Sequence, residues 1–371
     1  MKKLQIVSFD VPYPVNYGGV IDVFYKLKAF KELGIDVALH TFEYGRGEQI
    51  ILEQYCSKVY YYKRKKTISS LFSIRPFIIK TRENNLLLKR LKHNKSPILF
   101  EGLHTTSPLL DIDLKLIKTV VRAHNIEHYY YYGLFKSEKN CIRKIFFYTE
   151  SIKLKKYEKV LNNTNHILSI SPSEQKYFQN TYSDKATYIP VFSDLEFSNL
   201  KEEKEIVLWH GDLRVSDNVK SALFAIETIR DTKFKLVIAS STPNKCVQAA
   251  CETLPNVIVD NLKTQNDLDI LLATAKVNLL WTYQATGIKL KLLNALIKGR
   301  FVVANNLMVV NTGVEKTCNI ANTKKEVQRE LRYLMGQSFT EKERTERKLL
   351  LKSFDPKNNA KKILELLDYY F

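Results

Sequence analysis

The sequence is poor in cysteine and has no long hydrophobic run. Its five cysteines are scattered, odd in number and form no CxxC pair. This spacing argues against a disulfide framework or a cysteine-based zinc site and predicts reduced thiols. No apolar run reaches the roughly 18 residues of a membrane-spanning helix, and Met1–Val7 leads into a strand pattern rather than a signal peptide. We therefore expect a cytoplasmic protein, at most peripheral on the inner membrane.

Acidic residues are also scarce relative to basic ones. The chain has 58 Lys and Arg against 39 Asp and Glu, a net charge of +19. Such an excess favours nucleic acid, an anionic membrane or a phosphorylated substrate as partner, unless it reflects only a lysine-rich surface. The sequence contains no RRM, KH or zinc-finger motif, so we expect no nucleic-acid partner.

What the chain does contain is an alternation of short apolar runs and helical patterns, typical of parallel α/β units. Its 371 residues suffice for two domains of ordinary size. Predicted strands of the first half are Leu4–Phe9, Asp36–Thr41, Pro97–Phe100, Thr119–Ala123 and His166–Ser171. Those of the second half are Glu205–Trp209, Lys235–Ala239, Asn256–Val259, Val277–Trp281 and Phe301–Ala304. A polar stretch, 193–204, separates the halves, and an amphipathic helix is predicted over Lys357–Tyr369.

A loop with two adjacent glycines follows the first predicted strand. Tyr17, Gly18 and Gly19 precede a helix predicted over Val20–Leu33. Glycines let a backbone approach a ligand closely, and the following helix N-terminus favours an anion. We interpret the loop as an acceptor or donor loop, with a plain tight turn as the alternative.

Two histidines follow predicted strands in the first half. His104 comes shortly after Pro97–Phe100, and His124 comes directly after Thr119–Ala123. Because the carboxyl ends of parallel strands line one crevice, both are candidates for one catalytic cleft. The alternative is that each merely caps its strand. A third histidine, His128, is expected on a helix surface.

The corresponding loop of the second half contains Gly211 and Arg214. It follows the strand Glu205–Trp209, as the first glycine loop follows the first strand. Gly211 permits close approach of a ligand, and Arg214 is a candidate phosphate ligand.

A lysine pair stands where a helix is predicted to begin. Gly287 opens this helix, with Lys289 and Lys291 in its first turn and Thr286 as a candidate N-cap. Cations at a helix N-terminus oppose the macrodipole, so a bound diphosphate between them is the natural explanation. Two surface lysines in a lysine-rich protein are the alternative.

The stretch Lys63–Lys95 interleaves basic, aromatic and aliphatic residues. It contains a single acid, Glu83. This composition suits an anionic membrane surface, with a solvated helical face as the alternative.

Taken in order, these segments resemble a known family. The motifs that carry the resemblance are the glycine loop, the strand-end histidines, Lys156-Tyr157-Glu158, Ile170-Ser171, Ile189-Pro190-Val191, His210-Gly211, Gly287-x-Lys-x-Lys and Gly299-Arg300-Phe301-Val302-Val303. This set is similar to the GT-B glycosyltransferases of family four, the group-1 class, which build lipopolysaccharide, capsule and related surface glycans. The resemblance covers nearly the whole chain.

The resemblance implies an α/β architecture of two Rossmann-like domains facing each other across a cleft. Residues 1–195 would bind the acceptor, residues 196–352 would bind the nucleotide sugar, and a helix within 353–371 would cross back to the N-terminal domain. The donor would be a substrate, and neither a cofactor nor a metal is expected, since protein groups hold the diphosphate in this class.

The family's site residues carry over unevenly. His124 matches the histidine that approaches the donor sugar, and Lys291 matches a diphosphate ligand. The family's two glutamates fall on Thr286 and Asn294, and its usual Arg and Lys fall on Asp212 and Asp217. Asn294 retains the ability to bind a ribose hydroxyl.

The predicted activity is transfer of a sugar from a nucleotide-diphosphate sugar to a saccharide or lipid-linked acceptor, with retention of configuration. A non-catalytic scaffold of the same fold and a nucleotide-sugar 2-epimerase are the alternatives, the scaffold motivated by the missing glutamates.

Overall fold

A computed structural model describes residues 2–111, 117–197, 199–284 and 289–369. The chain divides into two compact units: unit 1 comprises Met1–Asp194 and Phe354–Phe371, and unit 2 comprises Leu195–Ser353. Each unit is an α/β layer structure built on its own parallel sheet. Among the described residues, no helix has the length and apolarity needed to cross a bilayer.

The sheet of unit 1 is parallel throughout. Its described strands are β1 (Lys3–Ser8), β2 (Asp36–Glu43), β3 (Lys58–Lys63), β4 (Ile98–Glu101), β5 (Thr119–Ala123), β6 (His166–Ser169) and β7 (Ala186–Tyr188). They lie in the order β3-β2-β1-β4-β5-β6-β7. The order reverses between β1 and β4, and doubly wound sheets bind ligands beyond the carboxyl ends of the strands at this switch point.

Helices cover both faces of this sheet. They are α1 (Gly18–Glu32), α2 (Ile68–Leu71), α3 (Phe77–Lys80), α4 (Asn85–His93), α5 (Glu127–Ser137), α6 (Cys141–Tyr157), α7 (Pro172–Tyr182) and α15 (Pro356–Leu366), the last of these at the end of the chain. Helix α1 begins at Gly18, two residues before the predicted start, and is followed by Gly34 at a φ of 71°, a conformation that glycine adopts without strain. On α15, Ile363 and Leu364 join the core formed by α1.

Unit 2 repeats the design on a smaller scale. Its described strands are β8 (Lys204–His210), β9 (Lys235–Ser240), β10 (Val257–Asn261), β11 (Ala275–Leu280), β12 (Phe301–Ala304) and β13 (Asn319–Ile320). They are parallel and lie in the order β10-β9-β8-β11-β12-β13, so the switch point falls between β8 and β11. The helices are α8 (Ser216–Ile229), α9 (Lys245–Cys251), α10 (Gln265–Thr274), α11 (Leu290–Lys298), α12 (Asn306–Val309), α13 (Lys324–Met335) and α14 (Glu341–Leu351).

Candidate active site

His124 lies at the carboxyl end of β5, beside the switch point of unit 1. Its Nε2 atom is 2.9 Å from a carboxylate oxygen of Glu101, the last residue of the neighbouring strand β4. The imidazole is 9% exposed, and the carboxylate fixes its Nε2 atom. The register of the two strands places Glu101 opposite Arg122, two residues before the histidine.

Behind His124 lies a buried network of two acids and two cations. The Lys26 ammonium is 2.6 Å from Glu101 and 2.9 Å from Asp22. Arg122 donates to the other oxygen of Asp22 at 2.9 Å. Burial alone would raise the pKa of Asp22, but Arg122 and Lys26 outweigh burial and hold it below its usual range. Lys26 and a hydrogen bond from His124 likewise lower the pKa of Glu101 against the effect of burial.

The same network decides whether this site suits a metal. One ligand atom each of Asp22, Glu101 and His124 lies within 4.8 Å of the others, a spacing that a metal ion tolerates. However, the Lys26 ammonium already bridges the two carboxylates, and Arg122 binds Asp22 as well. A divalent cation at this point would be repelled by two buried positive charges. We therefore interpret the cluster as a charge-balanced support for His124.

His104 lies close to His124, with a phenylalanine between them. The ring of Phe9 is 5.4 Å from His104 and 5.3 Å from His124, measured between centroids. Gly102 has a φ of 74°, and a Cβ atom there would lie 2.8 Å from Nδ1 of His104, so glycine is needed to keep this imidazole in place. Burial and the nearby Arg82 charge lower the pKa of His104 well below its usual value. The imidazole is therefore neutral at physiological pH.

A buried carboxylic acid beside His104 escaped the sequence analysis. Glu127, on the first turn of α5, is 2% exposed. Its Oε1 atom lies 3.9 Å from Nδ1 of His104, and within the described part of the chain neither atom has a hydrogen-bond partner. Burial and the Glu174 charge raise the pKa of Glu127 to about 8. The sequence signal was its position four residues beyond β5, within the segment that contains His124.

His128 contradicts the prediction of a surface position. It is 6% exposed, and its Nδ1 atom lies 3.1 Å from Glu158. Tyr177 on α7 donates to the same carboxylate at 2.6 Å, and its ring lies 5.8 Å from the imidazole. The prediction was wrong because α7 and the turn at Glu158 cover this face of α5, a tertiary contact that local sequence does not encode.

The glycine loop packs against the ring of Phe9. A Cβ atom on Gly19 would lie 2.6 Å from the ring of Phe9, so this glycine makes room for the phenylalanine between the histidines. Gly18 is exposed and opens α1. Tyr17 is 40% exposed and donates to Asp10 at 2.6 Å. Tyr17 and Gly18 are therefore the most exposed of the three, and Gly19 is half-buried.

In unit 2, Gly211 follows the last residue of β8 beside that unit's switch point. A Cβ atom on Gly211 would lie 3.0 Å from the indole of Trp209 and 3.4 Å from the Asn218 side chain, so the turn is tightly packed. Burial and the Lys291 charge lower the pKa of His210 to about 3, which leaves this imidazole neutral. Among the described residues its Nε2 atom has no hydrogen-bond partner.

The predicted lysine pair stands at the start of α11. Lys289 is the N-cap residue and Lys291 lies in the first turn, while Gly287 and Thr286 fall outside the described residues. Lys291 donates to Asn218 at 3.1 Å, and its ammonium lies 5.8 Å from the centre of the Trp209 ring. Burial and the Lys289 charge lower the pKa of Lys291 to about 8, and burial also lowers that of Lys289.

Asn294 lies three residues after Lys291, so the two side chains share one side of α11. It is half-buried. An amide on the same side as a half-buried ammonium can bind a hydroxyl beside an anion.

Asp217 lies near the lysine pair, and its charge raises the pKa of both lysines against the effect of burial. Asp217 accepts from Thr282 at 2.8 Å and from the backbone of Tyr283 at 3.1 Å. Arg214 is 71% exposed in its side chain and binds Asp212 at 2.7 Å. Arg214, predicted to meet a phosphate, is thus paired with an aspartate of its own loop, and its role as a phosphate ligand stays a prediction.

Comparison with known proteins agrees with this architecture. Residues 204–337 match the family described as Glycosyl transferases group 1. An uncharacterised 44.6 kDa protein in the cps region of Klebsiella pneumoniae is 27% identical over 337 residues, 84% of this chain and 85% of that protein.

Two solved structures share the fold over essentially the whole chain. Sucrose-phosphate synthase from Thermosynechococcus elongatus superposes with a TM-score of 0.72 at 13% identity, covering 99% of this chain and 98% of that one. HepE from Anabaena, in complex with UDP and glucose, superposes with a TM-score of 0.67 at 11% identity, covering 100% of both chains. These likenesses establish the GT-B fold.

Proposed function

We propose that this GT-B enzyme, whose second unit is a group 1 glycosyltransferase domain, moves a sugar from a nucleoside diphosphate sugar to a hydroxyl of a saccharide or lipid-linked acceptor in surface-glycan synthesis. The observation that carries the proposal is the lysine pair at the start of α11. Two half-buried, neighbouring ammonium groups with lowered pKa values favour the binding of an anion of at least two charges. The UDP in the HepE structure and the cps region of the Klebsiella relative support the assignment.

The lysines act on the leaving group. Breaking the bond between sugar and diphosphate leaves negative charge on the diphosphate oxygens, and cations already in position stabilise that charge without reorganisation. Lys291 is held by Asn218, so its ammonium is oriented before the donor arrives. The backbone N–H groups at the start of α11 add to the same field. Asn294, on the same side of α11, holds a ribose hydroxyl.

His124 orients the transferred sugar. The Glu101 carboxylate accepts the N–H of Nε2, which leaves the other ring nitrogen for a sugar hydroxyl. Because Lys289 and Lys291 supply the positive charge for the diphosphate, the proposed reaction is metal-independent. The proposed reaction also retains configuration at the transferred carbon.

The first test is the binding of UDP, GDP and CDP, followed by thermal unfolding. A bound nucleotide at a hundredfold excess over its Kd stabilises the fold by about 2.7 kcal/mol. We expect one base to raise the melting temperature of the wild type and of a Lys220→Ala control on the exposed face of α8. Lys291→Ala should abolish the shift. Absence of a shift with every nucleotide would contradict the proposal.

The second test separates transfer from isomerisation. The matching nucleotide sugar is incubated with and without a saccharide acceptor, and released nucleotide is measured. Acceptor-dependent release supports transfer, whereas conversion of the donor without an acceptor indicates a 2-epimerase. Binding with neither reaction indicates a scaffold.

A further inference from the structure

Unit 1 exposes a run of large apolar side chains between β3 and α3. Ile68, Phe72 and Ile74 are 77%, 84% and 95% exposed, and Leu71 is 42% exposed. Exposed apolar residues are ordinary when single, but a contiguous group marks an interaction surface.

Helix α6 presents a second apolar group of the same kind. Ile142, Ile145, Tyr148 and Ile152 recur every three or four residues and therefore lie along one side of the helix. All four are exposed, between 42% and 80%. In a water-soluble helix such a stripe ordinarily faces the core. In α6, however, it is Leu154, on another side of the helix, that is fully buried in the core.

The two groups belong to one surface. The backbone N–H of Phe77 donates to Glu150 of α6 at 2.6 Å, and Lys153 donates to the carbonyl of Leu71 at 3.3 Å. Ile74 and Ile152 line the same shallow cavity of about 370 Å³. We name the surface formed by 68–75 and the exposed side of α6 the apolar face.

The apolar face is surrounded by positive charge. From Lys63 to Lys80 there are six basic residues, of which Arg75 and Lys80 pair with Glu83 at 2.6 Å. From Glu138 to Tyr157 there are six basic residues and two acids. Glu138 pairs with Arg143, and Glu150 is buried and engaged by Lys153. Along α6, Lys155 and Lys156 are exposed and follow Ile152 by three and four residues, so they flank the apolar stripe.

We propose that the apolar face docks unit 1 onto the surface of an anionic lipid bilayer. Apolar side chains that enter the acyl boundary, flanked by lysines that meet lipid phosphates, are the recognised design of interfacial helices. Nucleic acid lacks an apolar layer that would accept Ile74 and Phe72, and a protein partner would need its own excess of acids. The inference does not depend on the proposed sugar transfer.

This location differs from the sequence-based one, the whole stretch Lys63–Lys95. Ile78 and Ile79 are buried in the core, and Arg82 donates to the backbone carbonyl of Phe9. Only the beginning of that stretch belongs to the apolar face, and α6, distant in sequence, completes it.

The experiment is flotation of the full-length protein with vesicles of phosphatidylcholine alone or of phosphatidylcholine with phosphatidylglycerol. We expect binding to the anionic vesicles and little binding to the neutral ones. Phe72→Ser with Ile74→Ser should remove most of the binding. Lys155→Gln with Lys156→Gln should weaken it about thirtyfold, since each of the two basic residues near such a surface contributes about 1 kcal/mol.

Matched controls lie elsewhere on the molecule. Lys89→Gln with Lys92→Gln changes two exposed lysines of α4, and Ile258→Ser changes a 59% exposed isoleucine of unit 2. Both should bind like the wild type. Equal binding to both vesicle types, or wild-type protein that stays unbound, would overturn the proposal. Light scattering provides a further test. If the wild type is a dimer and the variant with Phe72→Ser and Ile74→Ser is a monomer, the proposal is also overturned, because the apolar face is then a contact between copies.

Discussion

The two units differ in how they treat buried charge. Unit 1 balances Asp22 and Glu101 with Lys26 and Arg122 within direct contact distance. Unit 2 places Lys289 and Lys291 near each other, and burial lowers the pKa of both. A balanced network fixes a geometry by itself, whereas two neighbouring ammonium groups are stabilised further when an anion binds beside them. We therefore propose that the first region supports His124 and that the second binds the ligand.

The largest expected effect comes from unbalancing the network of unit 1. Lys26→Met leaves Asp22 and Glu101 buried with one cation fewer, and breaking a buried pair costs about 3–5 kcal/mol. Lys31→Met, at an exposed position of the same helix, is the control. Chemical denaturation measures the difference. A loss no larger than in the control would show that the network contributes no support.

Removing one member of the lysine pair should act in the opposite direction on stability. Lys291→Met should slow transfer by about 10²–10³-fold, the range for loss of one positioned donor to developing charge. It should also raise the melting temperature of the ligand-free protein below pH 8. The folded-state pKa of about 8 lies under the unfolded value of 10.5, so protonation opposes folding there, and the gain should vanish as the pH approaches 10.5.

Thermal unfolding without nucleotide, repeated across this pH range, tests the second part. A Lys291→Met protein less stable than the wild type near neutral pH would mean that the ammonium is satisfied within unit 2, as the charges of unit 1 are.

Glu127 is the exception to charge balance within unit 1. Its carboxyl group is buried, and the charge of Glu174 adds to the effect of burial on its pKa. A folded-state pKa of about 8 against an ordinary 4.5 means that the wild type loses stability as the pH rises through this window. Glu127→Gln keeps the neutral form at every pH. We expect its melting temperature to exceed that of the wild type at about pH 9 and to match it near pH 4.5. Parallel curves for the two proteins would place the pKa of Glu127 in its usual range.

The smallest effect is expected at Arg214. Because its exposed guanidinium pairs with Asp212, and exposed pairs contribute about 0–1 kcal/mol, Arg214→Ala should change the Kd for the nucleotide by less than about fivefold. Calorimetric titration gives this constant. A loss as large as that of Lys291→Ala would restore Arg214 as a diphosphate ligand.

The sequence alone determined the two α/β halves, ten of the thirteen described strands and the segments that end at the two switch points. Strands β3, β7 and β13 were not predicted. Apolar periodicity and glycine placement are local properties, so strands such as Thr119–Ala123 and Phe301–Ala304 were predicted with their observed bounds. The same reasoning selected His124, because it follows a predicted strand, and Lys291, because it lies at the start of a predicted helix.

Only the tertiary structure decided which side chains surround those residues. Lys26 and Glu101 are 75 residues apart in sequence, and their contact depends on the packing of α1 against the sheet. Contacts between distant parts of the chain also explain three other features: the burial of His128, the raised pKa of Glu127 and the common surface formed by 68–75 and α6. Burial and charge pairing are set by neighbours that come from distant parts of the chain, and the periodicity of one segment carries no information about them.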